Sequence, residues 1–275
     1  MSFNVIASAN HAARAELAWR SADGPLDAVA IVPLVIDDAV VAALPFADAA
    51  IARRLLGATA GTLVFSDSRM ALKGWSPCAV PVSVDVTADR TGEWTWTGAL
   101  DQEVRKHPPA RLLIDTAIQR REHWWYVPRW IVRLGPRYGA YAVARRHGAD
   151  DGVLFVDTAT GPVARTVAVE DWASDAVRVT PLDAAGLAPG GLAPGGARSA
   201  LLFGHDFSIP DQERSSRMAL HGELAGSTLA VRRRDGALEL PEPRLLPRLR
   251  AHYRLERACR RALAAYDASP SAAAT

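Results

Sequence analysis

Aromatic and basic side chains interleave most densely between Asp101 and Arg133, where Trp124, Trp125, Tyr126 and Trp130 stand among Arg129 and Arg133. Ring faces stack on planar groups, and a guanidinium offers a rigid fork of donors to phosphate or carboxylate. That mixture suits a flat anionic ligand, and it equally suits an apolar seal between two parts of the chain. An extended run from His123 would place Trp124, Tyr126 and Pro128 on one face and Trp125 and Val127 on the other. Arg129, directly after Pro128, needs an anionic or stacking partner if it is buried. Glu122 or Asp115 could supply the carboxylate.

A second candidate is Gly204-His205-Asp206-Phe207-Ser208. A histidine beside a carboxylate can move a proton or ligate haem iron, and the same residues also make an ordinary turn after a strand. His221, next to Gly222, is a further imidazole, and Glu213, Arg214 and Arg217 could line the same mouth. Lys73-Gly74-Trp75 reads as a turn between two strands, where the lysine could meet an anion and Trp75 could cap it, or where the tryptophan simply packs. No GxSxG, Walker loop or GxGxxG occurs, so acyl transfer and nucleotide-loop chemistry have no support.

Composition narrows the classes further. The chain has 275 residues and a formal net charge of +2, so no whole-molecule field argues for nucleic acid or an anionic membrane. Cys78 and Cys259 are the two cysteines, far apart and without metal-ligand spacing. They suit a reducing compartment, the start shows no secretory pattern, and apolar runs break well before the ~20 residues that span a bilayer. A cytoplasmic location with no metal and no membrane partner is the expectation. The C-terminal segment carries Arg244, Arg248, Arg250, Arg254, Arg257, Arg260 and Arg261 around leucines. Such a basic amphipathic helix can bind nucleic acid or a membrane surface, but more often it packs its leucines on the body and solvates its arginines, so a nucleic-acid partner is not expected.

The elements that must position these residues are mostly strands. A helix is expected over His11–Trp19, then paired runs at Asp27–Ile36 and Ala39–Leu44 around Asp37-Asp38, a helix over Ala47–Gly57, and strands at Thr62–Ser66 and Val80–Val86. Helical spacing covers Asp101–Lys106 and Arg111–Arg121, with Pro108-Pro109 between them. Further strands are expected at Gly152–Val156, Arg165–Val169, Ala176–Thr180, Ser199–Phe203, Arg217–Leu220 and Thr228–Arg233, and a helix over Pro243–Tyr266. The tandem GLAPGGLAPGG at 186–196 reads as a flexible surface loop. LVFSDS at 63–68 echoes LLFGHD at 201–206, and similar strand patterns follow each. The reading is a mainly β protein with flanking helices in two related half-units, 1–147 and 148–275, the second carrying the basic helix.

The succession Val29–Leu34, Val40–Phe46, helix, Thr62–Asp67, Val80–Asp85 resembles the pyridoxamine 5'-phosphate oxidase-like family of FMN-binding split barrels. Trp125–Val132 resembles that family's late strand, and Ala200–Gly226 its paired central strands. The resemblance implies a split β-barrel, as a monomeric pseudo-dimer or a homodimer, carrying FMN, deazaflavin or haem. It implies an oxidoreductase acting on a small organic molecule, with Lys73, Trp75, Trp124, Tyr126, Arg129, His205 and Arg214 as cofactor-binding candidates. Haem would call on His205 or His221 at the iron, and a non-catalytic ligand-binding or regulatory module is the alternative from another class. Where the family places Ser/Thr and Lys/Arg for the FMN phosphate, this chain has Ala49-Ala50-Ile51, with Arg53 and Arg54 one turn later. Any FMN is therefore expected to be held weakly.

Overall fold

The computed structural model describes residues 4–21, 24–137, 139–183, 197–242 and 245–269. Strands dominate it and fall into two antiparallel systems. The first contains β1 (Ala15–Ser21), β2 (Leu26–Ile31), β3 (Leu34–Ile36), β4 (Ala39–Pro45), β5 (Ala58–Phe65), β6 (Cys78–Asp89), β7 (Arg129–Pro136) and β8 (Tyr141–Ala142). Its order is β2-β1-β5-β6-β7-β4-β3, with β8 added on β6. The second contains β9 (Asp151–Thr158), β10 (Gly161–Val169), β11 (Ala176–Pro181), β12 (Arg198–Phe207), β13 (Ser215–Ala225) and β14 (Thr228–Ala237). It closes on itself in the order β10-β11-β14-β13-β12-β9. The α-helices among the described residues are α1 (Val5–His11), α2 (Ala49–Leu56), α3 (Ala99–Lys106), α4 (Arg111–Ile114), α5 (Ala117–Glu122) and α6 (Leu245–Asp267). None of those described is long and apolar enough to cross a membrane.

Period-two alternation explains how the two systems pack. In β1 and β5, Leu17, Trp19, Leu63 and Phe65 enter the core of the first sheet, while Ala18 and Val64 face the opposite way. In β9 and β12, Leu154, Val156, Ala200 and Leu202 fill the barrel, while Val153, Phe155, Leu201 and Phe203 turn outward. The two outward sets form one layer with Ala28, Ala79, Ala164 and Ala219. Small side chains let the sheets approach closely. Thr62 Oγ1 donates to the Pro162 carbonyl across the seam, and Arg20 donates to Asp157 Oδ1 at 3.2 Å.

Several expected elements stand where the sequence puts them. Asp37 and Asp38 both have positive φ, 49° and 56°, as a tight two-residue hairpin between β3 and β4 requires. Helix α2 and the long alternating β6 also match. Three expectations are corrected. Residues His11–Trp19 are not one helix: α1 ends at His11, and β1 begins at Ala15 because its backbone pairs with β2 and β5 on either side. Trp124–Tyr126 is a single 3-10 turn, so the aromatics do not alternate as a strand until Arg129. Trp94 Nε1 holds the turn by donating to the Val127 carbonyl at 2.8 Å. Gly204-His205-Asp206 is no turn either, since these residues lie within β12 and pair with Met218, Arg217 and Ser216.

Helix α6 follows the barrel in sequence but packs on the first core. Cys259 and Leu263 are buried there, and the Tyr266 ring meets Phe46 and Trp130 edge-on at 5.7 and 5.5 Å. A division at residue 147 that leaves the helix with the second half therefore does not describe its packing. The repeat at 186–196 lies outside the described residues. Leu263→Ala is expected to cost about 2–5 kcal/mol of stability, the usual range for truncating a buried leucine. Urea unfolding followed by tryptophan emission measures it, and a loss below about 0.5 kcal/mol would detach α6 from this core.

Candidate functional site

The segment between β6 and β7 is a helical insertion anchored at both ends. At the exit of β6, Asp89 accepts three backbone N–H bonds, from Gly92 at 2.6 Å, Glu93 at 3.0 Å and Trp94 at 2.7 Å. Gly92 sits at φ 80°, and a Cβ there would overlap the Val127 side chain, so the turn requires glycine. The turn directs Trp94 inward and leaves Trp96 79% exposed. Further along, α5 is capped by a reciprocal Thr116–Gln119 pair, which presents Arg120 and Arg121 on the same side.

These pieces enclose a surface cleft of about 380 Å³ lined by Arg90, Trp96, Arg120, Arg121, Trp124 and Pro128. Arg120 lies over the Trp96 ring at 5.8 Å, and Arg260 of α6 lies over Trp124 at 5.2 Å. Arg90 is held bidentately by Asp267 at 2.9 and 2.8 Å. Arg121 has no hydrogen bond or ion pair among the described residues. The cleft thus combines ring faces with guanidinium charge, one of it unspent.

Immediately behind Pro128, Arg129 is fully buried. It has no ion pair among the described residues, neither with Glu122 nor with Asp115. Its cation stacks on Tyr126 at 3.9 Å and Trp94 at 5.1 Å, and Nη1 donates to the Pro128 carbonyl at 3.2 Å. No acceptor among the described residues reaches Nε or Nη2. Asp48 and Glu103 act on it from further off. Burial raises both carboxyls above their ordinary range, against the pull of Arg129. Burial likewise lifts the Tyr126 hydroxyl to about 12, so it stays protonated.

A second polar group is sealed in the seam between the sheets. Arg146 Nη2 stands 2.7 Å from Glu16 Oε1, and His205 Nε2 stands 2.8 Å from the same oxygen. Ser66 Oγ lies 3.1 Å from Glu16 and accepts from Arg146 Nε, while Nη1 donates to the Asp151 carbonyl. Beside it, Arg69 bridges Asp67 and Asp206 and covers the Phe207 ring at 4.4 Å. Burial would raise the Glu16 carboxyl, but Arg146 and His205 together hold it below its ordinary value. Burial, then Arg146, depresses the His205 pKa, so the imidazole is neutral. Its Nε2 lies 2.8 Å from Glu16 Oε1 and 2.7 Å from Arg146 Nη2, so it donates to the carboxylate in one tautomer and accepts from the guanidinium in the other.

The seven sequence candidates do not converge on one site. Trp124 lines the cleft, Tyr126 and Arg129 form its buried backing, and His205 belongs to the seam. Lys73 is exposed and Trp75 is buried beneath Arg145, in the connection between β5 and β6. Arg214 is half-buried and donates to the Pro241 carbonyl at 3.3 Å. His221 lies against Arg233 and Asp235, and Arg53 and Arg54 line a separate groove with Arg233. Sequence reasoning missed Trp94, Trp96, Arg120 and Arg121 as site residues, although a Trp-Thr-Trp after a glycine turn was a visible signal. It also missed Glu16, whose signal was a lone carboxylate in an apolar run, and Arg146, which had none. Among the described residues no three His, Cys, Asp or Glu side chains stand as a metal-holding group. No family model, curated protein or solved structure matches the chain.

Glu16→Gln removes the charge that compensates Arg146 and is expected to cost about 3–5 kcal/mol at pH 7. Because the folded pKa of Glu16 is depressed, its contribution is complete above the unfolded value near ~4.5 and is lost as pH falls through the folded value. The gap between parent and variant in urea unfolding should therefore narrow below about pH 4.5. A gap independent of pH would take charge out of the explanation. Arg129→Lys keeps the charge but loses the plane that lies on Tyr126, and is expected to lower stability by about 1–3 kcal/mol. Unchanged stability would mean that Arg129 serves a ligand rather than the scaffold.

Proposed function

We propose that the protein binds a flavin or deazaflavin, as a planar anionic ligand, in the cleft between Trp96 and Trp124, and works as an oxidoreductase on a small organic molecule. The observation that carries this reading is the pairing of two exposed indoles with Arg120 and Arg121 around one cleft. The donor set fits such a group: indole faces match a fused ring, and guanidinium forks match a phosphate. A bound ring of this kind supplies electron or hydride transfer. The chain's residues would stack on it, neutralise its phosphate and screen one side from water.

The family reading, two related split-barrel halves, belongs with this proposal. It is supported by the likeness of the LVFSDS and LLFGHD segments, whose Phe65 and Phe203 are both buried in strands, β5 and β12. Haem has less support, because His205 Nε2 is engaged by Glu16, and His221 Nε2 lies 2.7 Å from Arg233. A binding module without turnover would use the same cleft and differ only in activity.

Titration of the full chain with FMN and with riboflavin, read by tryptophan quenching, tests the proposal. FMN should saturate the signal at micromolar rather than stoichiometric concentrations, since Arg120 already donates to the Ile114 and Asp115 carbonyls and Arg121 is the guanidinium left without a partner. Arg121→Gln is expected to weaken FMN about tenfold, or about 1.4 kcal/mol, and to leave riboflavin unchanged. Trp96→Ala should weaken both. Absence of quenching, or affinities indifferent to both substitutions, would refute the assignment.

A further inference from the structure

Arg250, Arg254, Arg257 and Arg261 follow one another in α6 at intervals of four, three and four residues, which places them on one face. All four are exposed. The opposite face, with Leu255, Cys259 and Leu263, is committed to the first core. None of the four has an ion pair among the described residues. The helix's own carboxylates are used on the flank, where Glu256 pairs with Arg260 at 2.8 Å and Asp267 pairs with Arg90 at 2.8 Å. Like charges four residues apart oppose helix formation. An unpaired row of them therefore works against α6 unless a polyanion covers it. Eleven residues at ~1.5 Å each give the row a length of ~16 Å.

Aromatic faces border this row. Tyr253 is 69% exposed and falls on the side of the row toward Arg260, which lies over Trp124, itself 46% exposed.

We propose that the outer face of α6 binds single-stranded nucleic acid, its guanidinium groups on successive phosphates and Tyr253 with Trp124 receiving bases. The net charge of +2 describes the whole molecule, whereas binding responds to the local row. Two features favour a single strand over other polyanions. Exposed rings stack on unpaired bases, which a duplex withholds. The face of α6 with Leu255, Cys259 and Leu263 is committed to the first core, and Leu249 with Tyr253 makes too narrow an exposed apolar strip to insert into a bilayer. This inference does not rest on the flavin reading.

Fluorescence polarisation of a labelled 15-nucleotide oligo(dT) with the full chain tests it. Binding should saturate and weaken with salt along a log–log slope of about −2 to −3, as three or four phosphate contacts imply. The double variant Arg254→Gln, Arg257→Gln, at exposed positions away from the cleft, should bind at least about tenfold more weakly. Tyr253→Ala should weaken oligo(dT) but not heparin, a polyanion without bases. Four results would overturn the proposal: no saturable binding, affinity unchanged in the double variant, equal or tighter binding of a duplex of the same length, or preferential capture by phosphatidylserine vesicles.

Discussion

A carboxylate that water does not reach, Glu16, compensates the guanidinium of Arg146 and stands 2.8 Å from His205 Nε2, and the meeting of the two sheets depends on that arrangement. Both charges have left water, so the contact holds only while every donor and acceptor around it is used. Each Arg146 nitrogen has a partner here: Nε donates to Ser66, Nη1 to the Asp151 carbonyl, and Nη2 to Glu16 with Asp67 at 3.5 Å. The participants come from β1, from the end of β5, from the approach to β9 and from β12. A shift of any one of these segments by a residue would turn its polar group to the wrong face of a strand. The network thereby sets register across the seam, a task that the alanine-rich layer around it cannot perform. Small apolar side chains permit close approach at many offsets, whereas a buried ion pair tolerates very few.

Against that rigid seam, the cleft stands on an insertion with its own anchors. Asp89 holds the start of the insertion through backbone N–H groups, and Trp94 ties it to Val127. Arg129 is the backing of the cleft and is stabilised by ring faces instead of a carboxylate. Stacking tolerates small lateral movement better than a bidentate ion pair does, because the attraction spreads over a ring. Arg146 and Arg129, both fully buried, are held in different ways. Arg146 is positioned by directional bonds, and Arg129 by surfaces.

The same insertion gives α6 its place. Arg260 over Trp124 and His252 against Trp125 join the helix to the turn at 124–126, and Arg90 with Asp267 joins it to the exit of β6. A helix that follows the barrel in sequence thus closes the first core and borders the cleft. The charges left outward by that docking are the ones for which the protein interior has no use.

The sequence by itself determined β6 by its alternation, since one buried face imposes period two, and it marked β9 and β12 by short apolar runs, which suit strands buried on both faces. It determined the Asp37-Asp38 hairpin and helix α2 for similarly local reasons. It also showed which stretch held aromatic and basic residues together. Tertiary structure alone decided the rest. His11–Trp19 has the composition of a helix, but two neighbouring strands supply hydrogen bonds that extend half of it, and pairing outweighs a propensity of a few tenths of a kcal/mol. Tyr126 and Trp124 are one turn apart rather than on one strand face because Trp94, thirty residues earlier, holds the backbone there. Glu16, Arg146 and His205 are 130 and 59 residues apart in sequence, and nothing in the local chemistry of any one names the others. Their partnership exists only where the two sheets exclude water, because a charge in solvent needs no particular partner and a charge in the seam needs one.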